Sequence, residues 1–319
     1  MSTNAGGIKV IRYGATRDWV AGLKVVTGKG DLLDCNKGLI KNATGYDLRQ
    51  LFIGAEGTLG FVVEATMRLT TKPQDLNVIV LGLVELDAIM EVLHAFRQKI
   101  ELTAFEFFSD KALEFVIKYK KLPPPFETRA KYYALIEYER NHEGIDDHVL
   151  RLFEYCMERG WVIDGAMSQN GQQFNNLWHL REYISETIIQ FTPCKFDLSV
   201  KVSKMPEFLH AVDAYLQKNF QEFISIWFGH IGDGNLHLNI LKPADEKPET
   251  FFKTCEKLNV DIFKLIKDYE GAISAEHGIG LLRKHYLTDT RSAEEIKYMR
   301  AIQQVFDPNG IMNPGKIFD

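Results

Sequence analysis

The sequence has few cysteines, no excess of basic charge and no long hydrophobic run. Its 319 residues contain 38 Lys and Arg against 43 Asp and Glu, which gives a net charge of -5. With no stripe of basic residues, this balance argues against a nucleic-acid-binding protein. No apolar run approaches the ~18 residues that a membrane-spanning helix needs, so no transmembrane segment is predicted. The amino terminus also lacks the charged and apolar regions of a signal peptide.

The four cysteines are scattered along the chain with no CxxC spacing: Cys35, Cys156, Cys194 and Cys255. This pattern predicts reduced thiols rather than a disulfide framework. It indicates a cytoplasmic protein, or one of an organelle matrix if a targeting segment has been lost. With 45% hydrophobic residues, the chain is long enough for two domains and a sizeable core.

Two histidines flank a strong turn signal. Asp233-Gly234 is typical of a two-residue hairpin turn, because both residue types tolerate the positive φ of a type I′ turn. His230 would then lie opposite His237 with Cβ atoms about 5 Å apart. Two imidazoles at that spacing can chelate zinc or a similar divalent metal, and Asn239 returns to the same face. The alternative is a hairpin with two ordinary polar residues.

A Glu-His pair follows in the glycine-rich stretch from Ser274 to Gly280. Adjacent side chains of an extended backbone point to opposite sides, so Glu276 and His277 can serve different roles at one place. Glu276 would complete a metal set with His230 and His237, and His277 would be an imidazole beside it. Taken alone, Glu-His is more typical of a solvated turn. Beside the histidine hairpin, the metal site is the favoured interpretation.

Three strand-helix-strand units follow Pro73 and end in the histidine hairpin. They span residues 78–108, 132–167 and 196–241, with long helices at 174–190 and 248–269. The predicted fold class is α+β, with a mixed or antiparallel sheet covered by helices on one face. We predict three parts, residues 1–73, 74–295 and 296–319.

Two further stretches carry weaker signals. Arg181 and Ser185 lie one turn apart on a predicted helix, and with Lys195 they would hold a carboxylate. An exposed Arg181 that pairs with Glu182 or water is the alternative. The loop from Gly54 to Gly60 exposes backbone N–H groups to a phosphate or a ring, although a tight structural turn explains it equally well.

The chain resembles a known family in segments that run from end to end: Ser2–Gly7, Thr44–Leu48, Phe52–Gly60, Leu180–Glu182, Gly229–Asn239, Ser274–Gly280 and Asn313–Lys316. These are similar to flavoproteins of the vanillyl-alcohol oxidase fold, in the branch of FAD-linked D-2-hydroxy-acid dehydrogenases. Thr103–Phe107 and Lys195–Ser199 most resemble the D-2-hydroxyglutarate dehydrogenases within that branch.

The resemblance implies FAD-dependent oxidation of a D-2-hydroxy acid to the 2-oxo acid, with D-2-hydroxyglutarate favoured and D-lactate or glycolate next. It implies a divalent metal at His230, His237 and Glu276, zinc first, with manganese or iron as alternatives. His277 would be the general base while a hydride passes to the flavin. The residues implied in substrate binding are Arg181, Ser185, Lys195 and Asn239.

The resemblance also implies which residues contact FAD: Thr3, Asn4, Gly6, Gly7, Glu56, Gly57, Thr58, Gly60, Asn313 and Lys316. In this family the FAD domain begins well before the Thr3–Gly7 turn, so we expect the chain to lack the front of that domain. Residues 296–319 would return to the flavin. The implied electron acceptor is an electron-transfer flavoprotein, a quinone or an iron-sulfur subunit, and a homodimer is also expected.

Two alternatives stay open. One is a flavoenzyme of the same fold similar to alkyl-glycerone-phosphate synthase, against which the metal set and Arg181 argue. The other is a truncated, non-catalytic chain that binds metal without FAD. Metal bound in the absence of flavin would favour the second alternative.

Overall fold

The computed structural model of the protein describes residues 1–73 and 75–318. The strands are β1 (Val20–Thr27), β2 (Leu32–Cys35), β3 (Gly60–Met67), β4 (Leu76–Leu83), β5 (Leu102–Ser109), β6 (Tyr132–Glu139), β7 (Val162–Met167), β8 (Cys194–Ser199), β9 (Ile224–Gly229) and β10 (Asn235–Leu241). The α-helices are α1 (Val10–Tyr13), α2 (Thr16–Trp19), α3 (Arg49–Phe52), α4 (Ala88–Arg97), α5 (Asp110–Lys120), α6 (Ile145–Glu158), α7 (Gly171–Ile188), α8 (Met205–Asn219), α9 (Pro248–Asp268) and α10 (Ala293–Phe306). Short 3₁₀ turns include Ile189–Phe191, Val202–Lys204, Ile231–Asp233 and Lys284–Asp289.

The described residues form two compact units. The first contains the described residues among 1–7, 13–71 and 271–319, and the second contains those among 8–12 and 72–270. After residue 12, the chain passes from one compact unit to the other between residues 12 and 13, 71 and 72, and 270 and 271. The domain boundaries predicted after residues 73 and 295 stay predictions.

The first unit is built on a three-stranded antiparallel sheet in the order β2-β1-β3. Its central strand β1 is buried at most positions, and its apolar side chains pack with those of α3 and the segment after it. Phe306 at the end of α10 packs edge-on against Phe52, with ring centroids 5.0 Å apart. A capping box between Ser292 and Glu295 starts α10, because it satisfies two backbone N–H groups at the helix end.

The second unit holds a seven-stranded sheet in the order β7-β4-β6-β5-β9-β10-β8. Every neighbouring pair is antiparallel. The first four strands of this unit alternate with α4, α5 and α6 along the chain. In the sheet, β6 lies between β4 and β5 and β7 lies outside β4, so the two strand pairs that α4 and α6 connect interleave. The predicted α+β class, with helices packed on an antiparallel sheet, is confirmed.

Helices cover both faces of this sheet, so the prediction of helices on one face was wrong in that detail. Phe228 faces α5 and α7, whereas the adjacent Trp227 points the other way and donates from Nε1 to Asp213 of α8, at 2.7 Å. On that second face Phe196 of β8 packs edge-on against Phe263 of α9. The reason lies in the central strands: β5 is buried at all eight positions, so both of its faces need a covering layer.

The sequence predicted that the histidine hairpin is the last pair of strands in the sheet, but it is not. Strand β8 adds to the outer side of β10, so β10 lies between β9 and β8. Residues of β8 therefore stand directly beside the histidine-bearing strand, and Asp197 lies opposite His237.

Candidate functional site

The two predicted histidines come together, but not through the predicted turn. His237 pairs in register with Phe228, not with His230. Only Gly234 of the predicted turn pair has a positive φ, of 93°, so the connection is not a type I′ turn. His230 follows the last residue of β9, and its ring still lies at right angles to that of His237 with centroids 5.4 Å apart.

A 3₁₀ turn over Ile231–Asp233 replaces the two-residue turn. Ile231 is fully buried, so the hydrophobic effect favours folding the turn inward over exposing this side chain at a hairpin tip. A Cβ on Gly234 would stand 2.4 Å from the carbonyl oxygen of Val200, so the residue that follows β8 leaves room only for glycine there. The longer connection keeps both histidines buried, at 7% and 9% exposure.

Glu106 of β5 is the residue that holds His230. Phe107 pairs with Gly229, so continuing that register by one residue places Glu106 opposite His230. The Nδ1 atom of His230 lies 2.7 and 2.9 Å from the two carboxylate oxygens. Glu106 is 0% exposed, and Nη2 of Arg181 lies 2.8 Å from its Oε2. A buried carboxylate is thus shared by an imidazole and a guanidinium.

The alternative interpretation of Arg181, as an exposed residue that pairs with Glu182 or water, does not hold. Arg181 is 5% exposed, pairs with Glu106, and lies over the ring of Phe228 at 4.8 Å. Its Nε is buried and has no hydrogen-bond partner among the described residues. Ser185, one turn along α7, is exposed, so the two residues do not share a buried face.

His237 has a carboxylate neighbour of its own. Asp197 Oδ1 lies 3.7 Å from His237 Nδ1 and accepts a hydrogen bond from Asn235 Nδ2 at 3.0 Å. Two residues along the same strand pair, Asn239 lies opposite Lys195. Asn239 is buried, whereas Lys195 on the edge strand is exposed. Paired residues, and residues two apart on one strand, point to the same side of a sheet. The side chains of Asp197, His237, Asn239 and Lys195 therefore share one face.

Glu276 and His277 belong to the other compact unit. Glu276 is half-buried and His277 is exposed, with Nε2 of His277 4.0 Å from Oε2 of its neighbour. Nearby, a Cβ on Gly7 would meet no atom closer than Glu276 Oε1 at 4.0 Å. A Cβ at Gly7 would thus lie at van der Waals distance from the Glu276 carboxylate.

The glycine-rich loops predicted to contact FAD converge around Glu56. The Glu56 carboxylate accepts hydrogen bonds from the backbone N–H groups of Ile279 and Gly280, each at 2.7 Å. Its backbone carbonyl accepts from the Asn313 side chain. A Cβ on Gly278 would stand 2.7 Å from Glu56 Cδ and 3.0 Å from Thr3. Within this unit Glu56 thus joins its own predicted flavin loop to the Asn313 segment and to the Ser274–Gly280 motif.

Other residues of the predicted FAD set also have structural partners. Asn4 Oδ1 accepts from the backbone N–H of Arg17 at 2.9 Å, and the Thr58 hydroxyl donates to the carbonyl of Ala55 at 2.7 Å. Gly60 begins β3 in close contact with β1, and Gly57 lies against Asn313. Gly6 is exposed, and Lys316 is half-buried in the carboxyl-terminal segment.

Two site residues were missed from the sequence, Glu106 and Asp197. Glu106 stands in Thr-Ala-Phe-Glu-Phe-Phe and Asp197 in Lys-Phe-Asp-Leu-Ser, each a single acid in an apolar strand. A lone acid between buried hydrophobic residues needs a partner, and this was the available signal.

Comparison with known proteins decides the family. A family model described as FAD linked oxidases, C-terminal domain, matches residues 72–317. This chain belongs to the FAD-linked oxidase family. The predicted resemblance is thereby confirmed.

This FAD-linked oxidase has relatives along its whole length. It is 61% identical to a protein of Stutzerimonas stutzeri named D-2-hydroxyglutarate dehydrogenase, over 100% of this chain and 68% of that protein. It is 50% identical to a protein of the same name from Xanthomonas citri pv. viticola, over 100% of this chain and 67% of that protein. The chain therefore spans about two thirds of the length of these relatives.

Among solved structures, 4-ethylphenol oxidase from Gulosibacter chungangensis superposes with a TM-score of 0.71 at 14% identity, over 99% of this chain and 68% of that one. At this identity the likeness establishes the fold. Within residues 1–73 and 75–318, no helix of the FAD-linked oxidase combines the length and apolar character that crossing a membrane requires.

Proposed function

We propose that this FAD-linked oxidase catalyses the oxidation of a D-2-hydroxy acid to the 2-oxo acid, with D-2-hydroxyglutarate as the favoured substrate and D-lactate or glycolate next. The names of the relatives at 61% and 50% identity support the substrate. The observation that carries the chemistry is the buried pair of His230 and His237, each with Nδ1 turned toward a carboxylate.

The donor chemistry of this pair fits a divalent metal. Metal-binding histidines usually donate their second ring N–H to a carboxylate or carbonyl, and Glu106 and Asp197 provide such groups. We propose that His230 and His237 bind the metal through Nε2 and that Glu276, from the Ser274–Gly280 motif, is the third ligand. Zinc is the first expectation, with manganese or iron as alternatives. A divalent cation held there would lower the pKa of a substrate hydroxyl group.

His277 is proposed as the general base. Histidine is the side chain most often used as a general base, and His277 is exposed beside the proposed ligand Glu276. It would accept the hydroxyl proton on a ring nitrogen while FAD, when bound, provides the hydride acceptor. A Cβ on Gly7 or Gly280 would meet only a carboxylate oxygen, at 4.0 Å in each case, so the backbone of these loops is not crowded, which is compatible with a bound ring.

The substrate carboxylates would be bound by cationic and polar groups along β8, β10 and α7. Lys195 and Asn239 are adjacent across two strands, which supports a joint role. Arg181 offers a buried guanidinium whose Nε has no acceptor among the described residues. Ser185 is exposed, and its role rests on the family resemblance. The electron acceptor, a homodimer and a cytoplasmic location stay predictions.

An absorption spectrum tests the proposal. The purified chain is supplied with FAD, freed of unbound flavin, and titrated anaerobically with D-2-hydroxyglutarate. Bleaching of the visible absorption of bound oxidised flavin, absent with the L-enantiomer, is expected. Bound flavin that D-2-hydroxyglutarate, D-lactate and glycolate all leave oxidised would contradict the proposal.

A second candidate is a non-catalytic chain that binds metal without FAD. The observation that favours it is that Asn4, Glu56 and Asn313 use their side chains within the protein. A colourless protein that nevertheless binds Zn²⁺ in the same experiment would support this candidate.

The metal set is tested separately from the flavin. His230→Ala, His237→Ala and Glu276→Gln should each lower Zn²⁺ affinity, since each removes one of three ligands. His179→Ala is the matched control, because His179 is a half-buried histidine stacked on Tyr183 at 4.6 Å. Zn²⁺ affinity measured against a chelator should change in the first three variants only.

His277→Asn tests the base. Zn²⁺ affinity should stay at the wild-type value, while turnover of the FAD-loaded chain should fall by about 10²–10⁴-fold, as expected for loss of a general base. Retained turnover would remove His277 from this role.

A further inference from the structure

Glu106 is the carboxylate beside His230 on the neighbouring strand β5. It lies in the interior of β5 with 0% exposure, where an ionised carboxylate is costly unless it is paired. Its partners are His230, at 2.7 and 2.9 Å from Nδ1, and Arg181, at 2.8 Å from Nη2. One group thus contacts both a proposed metal ligand and a proposed substrate-binding cation.

The chemistry of these contacts assigns the protons. Arginine is a donor only, and an ionised carboxylate is an acceptor only. Nδ1 of His230 must therefore carry the hydrogen that it shares with Glu106. The lone pair of the neutral ring is then on Nε2, which is the nitrogen that the proposed metal set uses.

We infer that Glu106 is a positioning residue: it fixes His230 in the Nδ1–H tautomer as an Nε2 ligand, and its carboxylate also holds the Arg181 guanidinium. This inference rests on the proposed function, because it presumes that His230 binds metal. The register of the sheet brings the two residues together. Gly229 of β9 pairs with Phe107 of β5, so His230, the next residue, lies beside Glu106.

Glu106→Gln is the decisive substitution because it keeps the shape and changes the hydrogen-bonding groups. Gln has one acceptor oxygen and one NH₂ donor. Arg181 can only donate, so it takes the oxygen, and the NH₂ then faces Nδ1 of His230. This NH₂ stands at the closer contact of Nδ1, 2.7 Å against 2.9 Å for the oxygen position that Arg181 contacts. Acceptance by the imidazole is therefore favoured there, which moves its hydrogen to Nε2 and removes the lone pair from the metal side. Zn²⁺ affinity should fall by about 10–100-fold, the usual effect of removing such a partner.

The matched control is Glu137→Gln. Glu137 is also a buried carboxylate of the same sheet, 2% exposed, and it accepts from Lys9, Thr103 and, at 2.9 Å, Trp178 Nε1. None of these partners is a proposed ligand. Glu137→Gln should therefore leave Zn²⁺ affinity unchanged even if it lowers stability.

A double variant separates positioning from general damage. Adding Arg181→Met to Glu106→Gln releases the amide oxygen, which can then accept from Nδ1 of His230. Zn²⁺ affinity should recover toward the wild-type value although a second buried residue has been changed. A merely structural role for Glu106 predicts a further loss instead.

The experiment measures Zn²⁺ affinity of the full chain by chelator competition for wild type, E106Q, E137Q and E106Q/R181M. Histidine ¹⁵N NMR of the wild type identifies the His230 tautomer directly, so a poorly folding variant does not decide the outcome. A protonated Nδ1, weaker binding in E106Q alone among the single variants, and recovery in the double variant are expected. A protonated Nε2 in the wild type, or wild-type affinity in E106Q, would overturn the inference.

Failure of the inference and failure of the proposed metal set give different results. If His230→Ala weakens Zn²⁺ binding and E106Q does not, the ligand assignment stands and the positioning role falls. If His230→Ala binds Zn²⁺ as the wild type does, the metal set itself is wrong.

Discussion

Breaking the ion pair between Arg181 and Glu106 should cost far more than breaking a surface pair. Both residues are buried, at 5% and 0% exposure, so Arg181→Met leaves a carboxylate in the core with His230 as its partner. Loss of one member of a buried pair typically costs 3–5 kcal/mol, and here the contact of the guanidinium with the Phe228 ring at 4.8 Å is lost as well. We expect Arg181→Met to lower the free energy of unfolding by about 3–5 kcal/mol.

A double-mutant cycle measures how much of this loss belongs to the pair. Glu106→Gln leaves a buried cation facing a neutral amide and should cost about 2–4 kcal/mol, in the range for an uncompensated buried charge. The double variant E106Q/R181M removes both charges. Its loss should therefore be smaller than the sum of the single losses by about 1–3 kcal/mol, the usual coupling between contacting residues.

Urea unfolding followed by tryptophan fluorescence is a suitable assay. Trp161, Trp178 and Trp227 lie in the unit that contains the pair, and Trp19 lies in the other, so the signal reports mainly on the relevant unit. A loss below about 1 kcal/mol in Arg181→Met, which is typical of exposed pairs, would refute the reasoning. Strict additivity in the double variant would refute it too, because it would mean that the two side chains do not interact.

Two further predictions concern other parts of the chain. Gly278→Ala should lower the free energy of unfolding by about 1–3 kcal/mol more than Gly280→Ala. Both glycines have positive φ, but a Cβ at 278 would stand 2.7 Å from Glu56 and a Cβ at 280 would stand 4.0 Å from it. Equal decreases in melting temperature, followed by circular dichroism, would contradict this. Iodoacetamide at pH 8 should label Cys255 before Cys156. A hydrogen bond with the Cys194 thiol lowers the pKa of Cys255, whereas burial raises the pKa of Cys156 to about 11. Mass spectrometry of the digested protein shows the order of labelling, and earlier labelling of Cys156 would contradict the prediction.

The elements of the larger sheet could be predicted because their signals are local. Apolar runs such as 102–108 and 132–138 gave the strands, and amphipathic periodicity gave helices such as Ile145–Glu158. The family could also be recognised, because its motifs are contiguous stretches of sequence. Even the closeness of His230 and His237 followed from a short separation along the chain.

The positions of strands relative to one another depended on tertiary structure. Whether β8 adds beside β10, and whether β5 pairs with β9, is decided by packing between segments far apart in sequence. The Asp233-Gly234 signal favoured a two-residue turn, but burial of Ile231 and the approach of Val200 to Gly234 selected a 3₁₀ connection.

The sequence by itself determined the fold class, the family and the residue types of the candidate site. Only the tertiary structure decided which side chains support the histidines. Glu106 and His230 are 124 residues apart, and a strand pattern shows that an acid is buried without showing what lies opposite it. That partner is set by strand order and register, which the whole core fixes together.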